Sequence, residues 1–249
     1  MTKQLISLAL ASTVLAVSSF GAIITNIKVK GQFHDPTDDL GPGVQPGDPA
    51  PAPSPLAANT AINWGTIGIP QSGYQFAGIN PPGSINVPPS PTPYFKLGTF
   101  THNNFIVDSP VLTSVMLDVV LTFDVDGIAS GPFTFTYLLQ HTETDNKKET
   151  GSICPFLTPI GEGCTDRVLI SGGAPQSFII GGVKFNLDLA FQIGGNPINQ
   201  FVTREQLANT ADIVGRFTAK SEIPEPATAG MMGVALLALG AYGRRRIKL

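Results

Sequence analysis

The sequence predicts an all-β protein: an antiparallel two-sheet sandwich or jelly-roll-like domain with one short helix. Three observations lead there. Long runs alternate apolar and polar residues with a period of two. Gly and Pro, 27 and 22 of the 249 residues, punctuate those runs. A helical period is nearly absent. Charged residues make up only 13% of the chain, against about 25% in an ordinary soluble domain. That excludes a disordered polyelectrolyte and a basic nucleic-acid binder. Two Cys exclude a disulfide-dense scaffold and a Cys-rich zinc site.

From the N-terminus, residues 1–22 read as a secretory signal peptide. Lys3 is a short positive region, Leu5–Val17 is uncharged, and Ser18-Ser19-Phe20-Gly21-Ala22 is mostly small, so cleavage after Gly21 follows the small-x-small rule. The uncharged run covers about 20 Å as a helix, short of a ~30 Å hydrocarbon core. Residues 23–221 are read as the β-domain, with Ile23–Lys30 as its first strand. Residues 35–58 are a Pro/Gly-rich loop or linker. The stretch Asp48-Pro49-Ala50-Pro51-Ala52-Pro53-Ser54-Pro55 favours polyproline II. The acids Asp35, Asp38, Asp39 and Asp48 lack the spacing of an EF-hand loop and read as solvated. Ala61–Ile67 and Tyr94–Phe100 are further strands.

The clearest strand places Val115, Leu117, Val119, Leu121, Phe123 and Val125 on one face. Gly127–Gly131 is a hairpin loop, and Phe133, Phe135, Tyr137 and Leu139 form the next face. Val183, Phe185, Leu187, Leu189, Phe191 and Ile193 repeat the pattern, and Asp212–Lys220 closes it. Thr203-Arg204-Glu205-Gln206 has capping-box form and predicts a helix over Arg204–Asn209, with Leu207 plugging one end of the sandwich. Cys154 and Cys164 predict a disulfide in an exported protein. The polar stretch His141–Thr150 and the loop between the Cys, with Glu162, form a candidate functional rim.

The chain ends in residues 222–249, a segment with three parts. Pro224-Glu225-Pro226 precedes an apolar run, 227–243, long enough to span a membrane barely; Arg244-Arg245-Arg246 follows and holds the C-terminus in the cytoplasm. These residues resemble the PEP-CTERM sorting signal of Gram-negative bacteria. That resemblance implies recognition and cleavage by an exosortase, transient anchorage in the inner membrane, and association with exopolysaccharide, biofilm and the cell surface. With both ends removed, Ala22–Ile223 carries 10 basic and 17 acidic residues, a charge of −7. This argues against nucleic acid or anionic lipid as a partner.

The most distinctive internal stretch is Leu97-Gly98-Thr99-Phe100-Thr101-His102-Asn103-Asn104-Phe105-Ile106. If it is extended, Phe100, His102, Asn104 and Ile106 share one face. A His and an Asn among apolar neighbours must find hydrogen bonds or cost stability. Three readings stand: a buried polar staple, a ligand-contacting pair, or a catalytic His. Thr101, His102 and Asn104 resemble the Thr-His-x-Asn signature of the THxN family of PEP-CTERM proteins. Asn63-Trp64-Gly65, Gln71-Ser72-Gly73, Phe201-Val202-Thr203-Arg204-Glu205 and the Asn209–Gly215 stretch are similar too. The resemblance implies location and fold, and no activity.

No nucleophile elbow, His-Glu-x-x-His helix or phosphate loop is present in the sequence. Asp118, Asp124, Asp126 and Asp188 alternate with core positions and read as a solvated face. The alternative is a carbohydrate- or calcium-binding face, with Asp124 and Asp126 of Asp-Val-Asp-Gly as the metal candidates. The sequence therefore predicts a non-enzymatic structural or adhesive protein of the surface or matrix. The alternatives are a carbohydrate- or calcium-binding module and a jelly-roll hydrolase. No cofactor is expected apart from such calcium.

Overall fold

The computed structural model describes residues 21–39, 53–65, 70–81, 83–107, 110–144, 153–156, 163–221, 230 and 233–234. The sorting residues Pro224, Glu225, Pro226, Arg244, Arg245 and Arg246 lie outside them, as do residues 1–20, nearly all of 227–243, and Glu162. Among the described residues, no helix is long and apolar enough to cross a membrane.

The chain is all-β. Its described strands are β1 (Ala22–Asp38), β2 (Asn59–Trp64), β3 (Ser72–Gly78), β4 (Ile85–Val87), β5 (Phe95–Asn104), β6 (Leu112–Val125) and β7 (Ile128–Thr142). They continue with β8 (Asp166–Gly172), β9 (Gln176–Ile180), β10 (Val183–Ile193), β11 (Asn196–Ile198), β12 (Gln200–Thr203) and β13 (Leu207–Ser221). Two antiparallel sheets result. One has the order β12-β8-β7-β6-β1-β4; the other has β11-β10-β13-β5-β3-β2, with β9 also on β10.

The period of two decides which side chains enter the core. Val115, Leu117, Val119, Leu121, Phe123 and Val125 on β6 are all buried, as are Phe185, Leu187, Leu189 and Phe191 on β10. Phe135, Tyr137 and Leu139 do the same on β7. Both sheets turn these faces into one apolar cluster rich in rings: Phe33, Trp64, Tyr74, Phe76, Phe100, Phe191 and Phe217 are fully or almost fully buried. Antiparallel sheets with one covered face give this alternation.

Three expectations are corrected. The helix over Arg204–Asn209 does not form. Glu205 and Gln206 make a turn, with Gln206 at φ 58°, and Leu207 already begins β13. The Asn209 amide replaces the helical bonds: Arg204 N–H donates to Asn209 Oδ1 at 2.9 Å, and Asn209 Nδ2 donates to Arg204 O at 2.9 Å. The Thr203 hydroxyl, read as an N-cap, faces His102 instead. Leu207 is 44% exposed and plugs nothing.

The hairpin loop is shorter than Gly127–Gly131. Asp126 and Gly127, at φ 49° and 82°, form a two-residue turn, and β7 starts at Ile128. Both central residues sit at positive φ, as the twist of a tight hairpin demands, and Asp-Gly suits that backbone. Finally, the proline-rich loop does not begin at Asp35. β1 runs through to Asp38 because residues His34, Thr37 and Asp38 find ladder partners in Met116, Ser114 and Leu112 of β6. Irregularities on either side of Thr37 absorb the Pro36 interruption.

A buried polar cluster at one end of the sandwich

The inward faces of four strands change from apolar to polar at the same end. On β5 the buried series runs Phe100, His102, Asn104; on β12 it runs Phe201, Thr203, and then Glu205 in the turn. On β7 it is Leu139 and His141, with half-buried Glu143 just past the strand, and on β8 it is Ile170, Val168, Asp166. Register brings them together. Thr203 lies opposite Asp166 in the β12–β8 ladder, and His141 opposite Val168 in the β7–β8 ladder. The tight turn from β12 to β13 then crosses to the other sheet, where Leu207 pairs with Asn104.

The hydrogen bonds join the sheets. His102 Nδ1 lies 2.9 Å from Thr203 Oγ1, and Asn104 Nδ2 donates to Glu205 Oε1 at 3.1 Å. The Tyr74 hydroxyl lies 2.6 Å from His141 Nδ1, and His141 Nε2 lies 3.1 Å from Glu143 Oε2. Asp166 Oδ1 accepts the Thr144 N–H at 2.8 Å, and the Thr144 hydroxyl donates to Cys164 O at 2.9 Å. The disulfide Cys154–Cys164 therefore sits against the cluster through Thr144. The rim expected at His141 and the Cys loop is thus joined to the Thr-His-x-Asn stretch.

Burial sets the charge states. His102 is held well below 6.5 by burial and by neighbouring His141. His141 is lowered to about 4 by burial, against the pull of Asp166. Burial, reinforced by Glu143, raises Asp166 to about 7. Burial, reinforced by Asp166 and Glu143, raises Glu205 to about 8. Desolvation disfavours the charged form in each case. At neutral pH both imidazoles are uncharged, and Asp166 and Glu205 stay partly protonated where carboxyls in water would be ionised.

The residues singled out in the sequence converge here more closely than their spacing required. The Trp64 ring stacks on His102 at 5.7 Å and meets Tyr74 edge-on at 4.9 Å. Ser72 Oγ donates to Phe105 O and accepts the Phe105 N–H. Gly73 pairs with Asn63 and Asn103, and a Cβ there would come within 2.8 Å of the Ile62 carbonyl. Thr101, by contrast, points away from the core, opposite Gln75 and Thr210. The calcium candidates lie elsewhere. Asp124 Oδ2 accepts from Asn26 Nδ2 at 2.6 Å, and Asp126 Oδ1 accepts the Ile23 N–H at 2.8 Å, so both fasten the β6–β7 hairpin to β1.

Asp166 lies outside every segment that the sequence points to, whereas Glu143 falls within the candidate rim and Glu205 within the family-like stretch, neither as a named site residue. The signal was present as repeated i, i+2 pairs, His102-x-Asn104, His141-x-Glu143 and Thr203-x-Glu205, each extending an apolar face. Only the ladder registers reveal that the three ends meet. In comparison with known proteins, the chain matches no family model, and no curated protein is significantly similar to it.

Proposed function

We propose that this chain is an exported structural or adhesive protein of the Gram-negative cell surface or extracellular matrix. In this reading it is delivered through the inner membrane, held briefly by residues 227–243, and released by an exosortase acting at Pro224-Glu225-Pro226. Its body is a jelly-roll-like sandwich associated with exopolysaccharide or biofilm. The observation that carries the non-catalytic part is the complete burial of His102, together with its bond to Thr203. A catalytic His needs access to substrate, whereas a neutral, enclosed imidazole linking two sheets serves as a staple. A jelly-roll hydrolase is disfavoured for the same reason: the ionisable groups that converge do so inside the core.

One observation favours the second reading, a carbohydrate-binding module. An open groove of about 550 Å³ is lined by Asn26, Lys28, Thr122, Asp124 and Ser130. Its polar lining suits hydroxyl groups. The sole tryptophan, Trp64, is buried and supplies no stacking platform.

Replacing Pro224-Glu225-Pro226 by three Ala tests the main reading by cell fractionation and blotting. The expected result is uncleaved protein accumulating in the membrane; normal processing would overturn it. A glycan-array screen of the exported protein decides the second reading. Binding that Asp124→Ala abolishes would support the groove.

A further inference from the structure

We propose that the buried cluster is a structural divalent-cation site, with Asp166 at its centre and His102, Glu143 and Glu205 completing the ligand set. Two overlapping donor groups point to it. His102, His141 and Asp166 each offer a nitrogen or oxygen, and these atoms lie within 4.8 Å of one another; so do the carboxylates of Glu143, Asp166 and Glu205. Asp166 belongs to both. Ligands of one ion held at about 2.0–2.2 Å stand up to about 4.4 Å apart. Rotamer-scale movement of these side chains would therefore close them on an ion.

Acidic groups cluster without ions in many proteins. The independent observation here is a set of fully buried acceptor atoms with no partner: His102 Nε2, Asp166 Oδ2 and Asn104 Oδ1. Each such atom costs stability if it stays unmade, and two of them, on His102 and Asp166, belong to residues whose ligand atoms lie within 4.8 Å of one another. One cation between them would serve both at once. Binding would also displace the protons that burial leaves on Asp166 and Glu205.

Tautomers sort the two histidines. His141 is bonded at both nitrogens, by the Tyr74 hydroxyl at Nδ1 and by Glu143 at Nε2. The tautomer that satisfies both contacts carries its proton on Nε2, which leaves no lone pair for a metal. His141 is thus a positioning residue that holds the Glu143 carboxylate. His102 is the reverse: an Nδ1–H donated to Thr203 Oγ1 leaves the Nε2 lone pair bare. A ligating His commonly donates its other N–H in this way. Imidazole combined with carboxylates suits Zn²⁺ or Mn²⁺ better than Ca²⁺ or Mg²⁺, which take oxygen alone. The buried setting, in which the Glu143 side chain is 15% exposed, fits a structural ion that clamps the two sheets.

The test uses the full purified chain, stripped with EDTA and titrated separately with Zn²⁺, Mn²⁺, Ca²⁺ and Mg²⁺. Trp64, 5.7 Å from His102 and the sole tryptophan, reports the site by its fluorescence. One equivalent of Zn²⁺ or Mn²⁺ should bind by elemental analysis, shift Trp64 emission, and raise the melting temperature by about 5–10 °C at a hundredfold excess over Kd. Asp166→Asn and His102→Gln should each weaken binding at least tenfold. Glu205→Gln, in the turn, gives a second variant should those misfold. Four outcomes would overturn the proposal: no ion bound, binding by Ca²⁺ or Mg²⁺ alone, uptake without a Trp64 response, or equal affinity in Glu205→Gln. The first, with Glu205→Gln at least as stable as the parent, would identify the cluster as carboxylic acids sharing protons.

Discussion

Thr203 shows how one hydroxyl can hold two sheets. Its Oγ1 stands 2.9 Å from His102 Nδ1 and 3.5 Å from Asn104 Nδ2, in a place water does not reach. Thr203→Val keeps the shape and removes the partner of both. A buried donor left unmade costs about 1–3 kcal/mol, so urea unfolding should show a loss of that size. Thr203→Ser, which keeps the oxygen, should stay within about 1 kcal/mol of the parent. An equal loss in both variants would mean that the methyl group matters and the hydroxyl does not.

At the scale of elements, the pairing of β1 with β6 carries a pH dependence. His34 on β1 has Nδ1 2.9 Å from Asp35 Oδ2 and Nε2 3.4 Å from Asp118 Oδ2 on β6. Partial burial pushes its pKa down, but the two carboxylates outweigh that and hold it above 6.5. A raised pKa means that the folded state binds the proton more tightly than the unfolded chain. The stabilisation is then complete below pH 6.5 and disappears as the pH rises through the folded value. The His34 part of the unfolding free energy should fall between pH 6 and pH 8.5 by less than about 1 kcal/mol, as for other exposed pairs; the raised Asp166 and Glu205 add a fall of the same sign over this range. His34→Asn should remove that part of the slope; an unchanged slope would assign it elsewhere. The β12–β13 turn makes a related point about elements. A capping-box pattern describes what a segment does when its Thr is free to cap, and here the Thr is taken by a histidine about a hundred residues away in the chain.

The whole molecule depends on its end being closed. The Cys154–Cys164 disulfide, across a sequence separation of 10, lies against the polar cluster through Thr144. On the loop-entropy account it contributes about 2–3 kcal/mol. Cys154→Ser with Cys164→Ser should lower stability by that amount without changing the far-UV spectrum of the sheets. A larger loss, with the β signal gone, would show that the bridge is required for the fold itself.

How much of this was legible beforehand follows from the range of the forces involved. Alternation along β6, β7 and β10 is a local property, since each side chain's face is fixed by its own backbone. The all-β class, the buried faces and the inward turn of His102 and Asn104 could therefore be read from residues alone. The disulfide was readable because Cys chemistry offers few alternatives. The meeting of His102 with Thr203, Asp166, His141 and Glu205 was not readable. It depends on which strands become neighbours and in what register, and both are set by packing two whole sheets against each other. The sequence by itself determined which faces of the long strands turn inward, although Ile106, Ile193 and Leu207, at or just past strand ends, are exposed. Only the tertiary structure decided that four polar strand ends face one another, because burial is a local pattern and proximity across a core is not.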